Sequence, residues 1–227
     1  GLDECTADHE RFLVREREPR AAFERGERRC ESRRTNDPIQ HDLGAAPLGI
    51  LFRDDAARMV HATREQSLVT HCDPRCAAGA IAVAGAAALA SSVERVVPDE
   101  FLGRVAAWAG EEDRSVADAI LGITPWLDLA PVEAARRLHQ TGLDTEHADS
   151  WRGISTFVTP SVVWSLYAFL RSPDNYWTTI CTAIGVGGDT DTTTLFVVQV
   201  PYRSMFLPVK SRRSPAWPYD VARVYSC

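Results

Sequence analysis

Gly187-Gly188-Asp189-Thr190-Asp191-Thr192-Thr193 concentrates chemistry more densely than any other stretch of this 227-residue sequence. Two carboxylates stand one residue apart, with hydroxyls around them and a glycine pair before them. Asp-x-Asp-Thr offers hard oxygen ligands, the set that suits Mg²⁺, Mn²⁺ or Ca²⁺ rather than a soft metal. The glycine pair lets the backbone take a positive φ or approach a ligand closely. Residues 174–186 before it read as a helix, and 192–198 after it as another. The carboxylates then fall at a helix N-terminus, where the dipole and free N–H groups also favour an anion such as a diphosphate. The same residues have a plainer reading as a helix cap and a turn. One cap, however, does not need so many capping residues.

A second cluster, Thr70-His71-Cys72-Asp73-Pro74, precedes an Ala- and Gly-rich segment. Asp73 predicts an N-cap and Pro74 the first helical position. His71 with Cys72 and Cys76 is half of a zinc site at most, and no second half appears. The six cysteines show neither disulfide-scaffold nor zinc-ribbon spacing, so Cys72 and Cys76 read as small buried residues. Asp189-x-Asp191-x-Thr193 also matches the nucleophile motif of haloacid-dehalogenase-like phosphatases. That motif closes a hydrophobic strand, whereas the residues before Asp189 read as helical.

The elements that must position these groups are helices throughout. Asp54 or Asp55 caps a helix whose core-facing residues are Ala57, Val60, His61 and Leu68. Residues 74–91 are built of Ala, Gly, Ile and Val, so this helix is expected at the centre of the core. Pro98 opens an amphipathic helix with Phe101, Leu102, Val105 and Trp108 on one face. Shorter helices are predicted over 113–121 and 131–140, the latter closed by Gly142. Residues 160–170 are apolar nearly all round, hence buried. Ser172-Pro173-Asp174 reads as the start of the helix that leads into the Gly-Gly-Asp loop. Strand-like alternation is nearly absent, so the fold class is all-α.

The texture divides the chain in three. Residues 1–43 form a charged head, dense in Arg and Glu, expected to be poorly ordered. Residues 44–200 form the helical domain. Residues 201–227 form an irregular tail in which Pro201, Pro208, Pro215 and Pro218 exclude a long helix. A net charge of −6 gives no electrostatic footprint for nucleic acid. No apolar run reaches the roughly 20 residues of a membrane span. Without a basic-then-apolar leader pattern, the expected location is cytoplasmic.

Taken together, these pieces resemble the ADP-ribosylglycohydrolase family, the relatives of dinitrogenase reductase-activating glycohydrolase. The resemblance rests on Gly-Gly-Asp-Thr-Asp-Thr after an apolar helix and on Ala46-Pro47-Leu48-Gly49. It rests also on Thr70-His71 before Asp-Pro and an Ala-rich helix, and on the run from Phe157 to Tyr167 leading through Asn175-Tyr176-Trp177. It spans about residues 44–196. It implies an all-α bundle holding two Mg²⁺ or Mn²⁺ ions. The implied activity is cleavage of the glycosidic bond between ADP-ribose and a modified side chain or small molecule. Asp189 and Asp191 would be catalytic and, with Thr192, metal ligands; His71, Gly187 and Gly188 would meet the substrate. The implied partner is an ADP-ribosylated protein or an ADP-ribose-containing small molecule. The family pattern also carries a Gly-Asp-Ala-x-Gly segment and a Thr-Asp-Asp triplet, neither of which occurs here. The expected bundle is therefore incomplete. The alternative function is a degenerate member that at most binds ADP-ribose.

Overall fold

The helix Pro74–Ser92 is the axis on which the other helices are assembled. Ala, Gly, Val and Ile make up 13 of its 19 residues, and 14 of the 19 are buried. Small side chains let neighbouring backbones come close, so burial is spread around the helix and not confined to one stripe. In the computed structural model, residues 44–142 and 153–199 are described, and all belong to one compact unit. The charged head and the proline-rich tail lie outside the described residues.

In chain order the helices are α1 (Ala45–Leu51), α2 (Ala56–Ser67), α3 (Pro74–Ser92), α4 (Pro98–Ala109) and α5 (Arg114–Leu121). After a short 3₁₀ turn at Thr124–Trp126 come α6 (Pro131–Leu138), α7 (Val158–Arg171), α8 (Tyr176–Ile184) and α9 (Thr190–Gln199). No strand occurs among the described residues; a single parallel bridge pairs Ile154 with Gly188. The architecture is all-α, as the residue pattern predicts.

Helices α1, α2, α4 and α7 pack on α3. α1 lies so close that a Cβ at Gly49 would overlap the Ala84 carbonyl. α3 is also the one described helix long and apolar enough to cross a membrane, and most of it is buried inside the bundle. The second buried helix, α7, carries Trp164, Tyr167 and Phe169 with essentially no exposure. Trp164 stacks on Tyr167 at 5.0 Å. Its indole Nε1 donates to the Ala183 carbonyl at 2.9 Å, which ties α7 to α8, and Tyr167 Oη donates to the Leu129 carbonyl at 2.8 Å. A buried N–H or O–H left without such a partner costs its full desolvation, so these two bonds fix the register of α7. α7 starts two residues earlier than the sequence suggests, at Val158, with Pro160 inside its first turn. The first N–H groups of a helix have no internal acceptor, so proline is tolerated there.

Caps follow the sequence closely. Asp55, Asp73 and Asp113 each accept an N–H from the first turn of the helix that follows. Three expectations shift. α2 turns Met59, Val60, Thr63 and Ser67 inward, while Ala57, His61 and Leu68 are exposed. α8 starts at Tyr176, capped by Asn175 and not by Ser172 or Asp174. Ser172 is occupied differently: its carbonyl accepts from Asn175 N and from Thr179 Oγ1. Finally, Cys76 is buried as expected but Cys72 is exposed.

Candidate functional site at the Gly-Gly-Asp loop

The loop between α8 and α9 is built almost entirely from backbone hydrogen bonds. Gly187 N donates to the Ile184 carbonyl at 3.1 Å as α8 ends. Gly187 and Gly188 then take φ of 72° and 91°, the left-handed region that a side chain makes costly. Beside them runs the segment that enters α7. Ile154 N donates to the Gly187 carbonyl at 3.1 Å, and Asp189 N donates to the Ile154 carbonyl at 2.8 Å. On its other side, the Asp189 carbonyl accepts from Thr193 N at 3.2 Å and from Thr193 Oγ1 at 3.0 Å. The Asp189 backbone is thus gripped from both directions, while its side chain meets Asp191 and Thr192.

Asp189 is half-buried immediately before α9, and Asp191 is exposed in its first turn. Burial pushes the Asp189 carboxyl above the usual carboxylate range, and a hydrogen bond with the Asp191 carboxyl adds to this. The hydroxyl and amide of Thr192 pull in the other direction. Asp191 is held below the usual range, chiefly by the same bond from Asp189 and then by backbone N–H groups of the turn. Two carboxylates this close resist ionising together, and a cation between them removes that penalty.

Among the described residues no group of three or more His, Cys, Asp or Glu gathers in one place. The donor set of Asp189, Asp191 and the Thr192 hydroxyl therefore fits one face of a hard-cation site, not a closed coordination shell. Thr193, the third position of the phosphatase-like pattern, is buried and used in holding the Asp189 carbonyl. What precedes Asp189 is the helix α8, not the strand that the phosphatase motif requires.

The loop brings together five of the sequence-predicted residues: Gly187, Gly188, Asp189, Asp191 and Thr192. Gly188 makes its close approach to protein backbone, since a Cβ there would overlap Ile154. Gly187 has open space where a Cβ would project. His71 stands apart in sequence, on the half-buried turn between α2 and α3. Its N–H donates to the Ser67 carbonyl at 2.9 Å, and its Nδ1 lies 2.8 Å from Thr70 Oγ1. No hydrogen bond among the described residues joins it to the Asp189 loop. Asp73, two residues on, receives both Nε and an Nη of Arg75, which holds its carboxyl below the usual range.

Residue type does not single out Gly153 or Ile154, yet Ile154 makes both backbone bonds to the loop and Gly153 lies against Gly187. A lone glycine after Trp151-Arg152 was the sole trace of them in the sequence.

No curated protein and no solved structure matches the chain. The family model described as ADP-ribosylglycohydrolase matches residues 14–197. The match takes in every described helix from α1 to α8 and most of α9, and begins within the charged head. With most of the sequence matched, an all-α bundle, and the Gly-Gly-Asp-Thr-Asp-Thr loop at a helix start, the chain belongs to the ADP-ribosylglycohydrolase family.

Proposed function

We propose that the Asp189 loop holds a hard divalent cation, Mg²⁺ or Mn²⁺, and that the chain hydrolyses a glycosidic bond of ADP-ribose. The observation that carries this reading is the paired carboxylates of Asp189 and Asp191 beside Thr192, crowded enough to shift each other's ionisation. When bound, the metal supplies positive charge and orients water and the ribose hydroxyls. The chain's own groups do the rest. Asp189 and Asp191 hold the cation and place negative charge near the sugar, which favours an oxocarbenium-like state as the bond breaks. Water adds across that bond: its oxygen goes to the anomeric carbon and a proton goes to the leaving side chain. Thr70 holds the His71 ring at Nδ1, which leaves Nε2 to bond the ribose or the leaving group. Gly187, with open space at its Cα, lets a ligand approach the backbone. The substrate in this reading is an ADP-ribosylated protein or a small molecule carrying ADP-ribose.

A second reading is a member that binds ADP-ribose without cleaving it. It is favoured by the donor count, since two carboxylates and one hydroxyl are fewer than two hard cations need. Incubating the chain and Mn²⁺ with an ADP-ribosylated peptide separates the two. Free ADP-ribose accumulating with time, and not with Asp191→Asn, supports hydrolysis. Binding of the peptide with no release supports the second reading, and neither binding nor release overturns both.

A further inference from the structure

The segment Gly153–Ser155 is hydrogen-bonded to the Asp189 loop through its backbone, and it is anchored at its other end. Ile154 is fully buried, and its N–H and C=O bond to Gly187 and Asp189 respectively. Ser155 is buried next to it; its hydroxyl accepts from Phe157 N at 3.0 Å, and its carbonyl accepts from Ser161 Oγ at 2.8 Å. Ser161 belongs to α7, the helix most deeply set beside α3. Two hydrogen bonds, joined by the Ile154–Ser155 peptide, therefore link Ser161 of α7 to the amide of Asp189. α9 is tied to the same helix by Ser165 Oγ, which donates to the Thr193 carbonyl at 3.4 Å.

Glycine is required on both sides of this pairing. Gly153 has φ of 84°, and a Cβ on it would overlap the Gly187 carbonyl; a Cβ on Gly188 would overlap the Ile154 backbone. Left-handed φ and close approach coincide at both positions, so no other residue reproduces the contact without moving the loop. The geometry points to a latch: Gly153 and Ile154 are positioning residues that fix where the Asp189 carboxylate stands relative to Asp191. The latch rests on the metal reading of that pair. Cation sites lose affinity steeply when ligand-orienting contacts outside the coordination shell are removed, commonly 10–100-fold.

The test uses the full chain and two readouts. One is Mn²⁺ affinity by titration; the other is hydrogen exchange at the Asp189 amide, followed by NMR. Gly153→Ala is expected to speed that exchange at least tenfold and to weaken Mn²⁺ binding at least tenfold, while the metal-free protein keeps a single cooperative melt. Ile154→Val keeps both backbone bonds and is expected to leave both readouts at wild-type values. Gly103→Ala, with open space around it on α4, is the control for glycine replacement as such. If Gly153→Ala does not fold, Ser161→Ala decides instead, with the same directions and at least threefold effects. Faster exchange with unchanged Mn²⁺ affinity would overturn the positioning role, and unchanged exchange would overturn the latch. A wild-type chain that binds no Mn²⁺ removes the metal reading and the positioning role with it, while exchange still reports whether the backbone latch exists.

Discussion

At the scale of single residues, Asp189 carries two roles that are usually indistinguishable. It precedes α9 as a cap would, and it faces Asp191 as a metal ligand would. Asparagine separates them, because it caps a helix about as well as aspartate but brings no charge. Asp189→Asn is therefore expected to leave the metal-free melt unchanged or slightly raised, since burial and Asp191 already disfavour the charged carboxyl. The same variant is expected to lose the stabilisation by Mn²⁺, as read by thermal melts with and without the ion. Cys76 illustrates the opposite, a reactive group made inert: burial pushes its thiol up to about 12. The nucleophile is the thiolate, so alkylation near pH 8 is expected to label exposed Cys72 and spare Cys76 until the chain unfolds. Peptide mapping by mass spectrometry reads this directly. The sequence marks the carboxylates and the glycine pair of one loop by side-chain type and spacing, and the structure places those residues together; His71 lies on a separate turn with no hydrogen bond to them among the described residues. Gly153 and Ile154 were not legible in the sequence, because a backbone pairing across more than thirty residues leaves no side-chain pattern to read.

At the scale of elements, the helices were legible wherever a cap is local. Asp55, Asp73 and Asp113 sit one residue before the helices they serve, and each bonds an N–H two or three residues on. The start of α8 was misplaced because Ser172-Pro173-Asp174 has the composition of a cap. Tertiary packing buries Thr179 and closes the turn at Asn175 instead. The face of α2 was offset because its inward positions include Thr63 and Ser67, which a count of apolar residues passes over. Asp73→Ala is expected to cost about 1 kcal/mol at neutral pH, in the usual range for a lost N-cap. The Asp73 carboxyl is held low by Arg75 in the folded chain. Its contribution is therefore present above the ordinary carboxylate range, and is lost as pH falls below about 4 and through the folded value. Denaturant melts of wild type and Asp73→Ala are expected to differ at pH 7 and to draw together as the pH falls below the ordinary carboxylate range. In the core, Trp164→Ala removes a fully buried ring and strands the Ala183 carbonyl, with an expected loss of about 3–5 kcal/mol. A loss under about 1 kcal/mol would mean that α7 is not the buried helix described here.

At the scale of the whole molecule, one alanine-rich helix gathers the others, and α7 beside it is hydrogen-bonded to Ser155, next to the partner of the Asp189 loop, and to Thr193 of α9. A rigid bundle that holds a loop through backbone bonds places side chains more exactly than a free loop does. The all-α class was readable from the absence of strand alternation, and family membership from the motifs in their order. The proposed cation site is a different matter. The described residues supply two carboxylates and a hydroxyl, so affinity for a cation and for ADP-ribose is the property on which the account depends. The most direct measurement is a thermal melt of the full chain with Mn²⁺, ADP-ribose, both and neither, beside Asp191→Asn. A ligand at about 100 times its dissociation constant adds roughly 2.7 kcal/mol to stability, a readily seen rise in melting temperature. Mn²⁺ with ADP-ribose is expected to raise the melt of the wild type and not of Asp191→Asn. A cooperative melt that neither ligand moves, in either protein, would contradict that expectation.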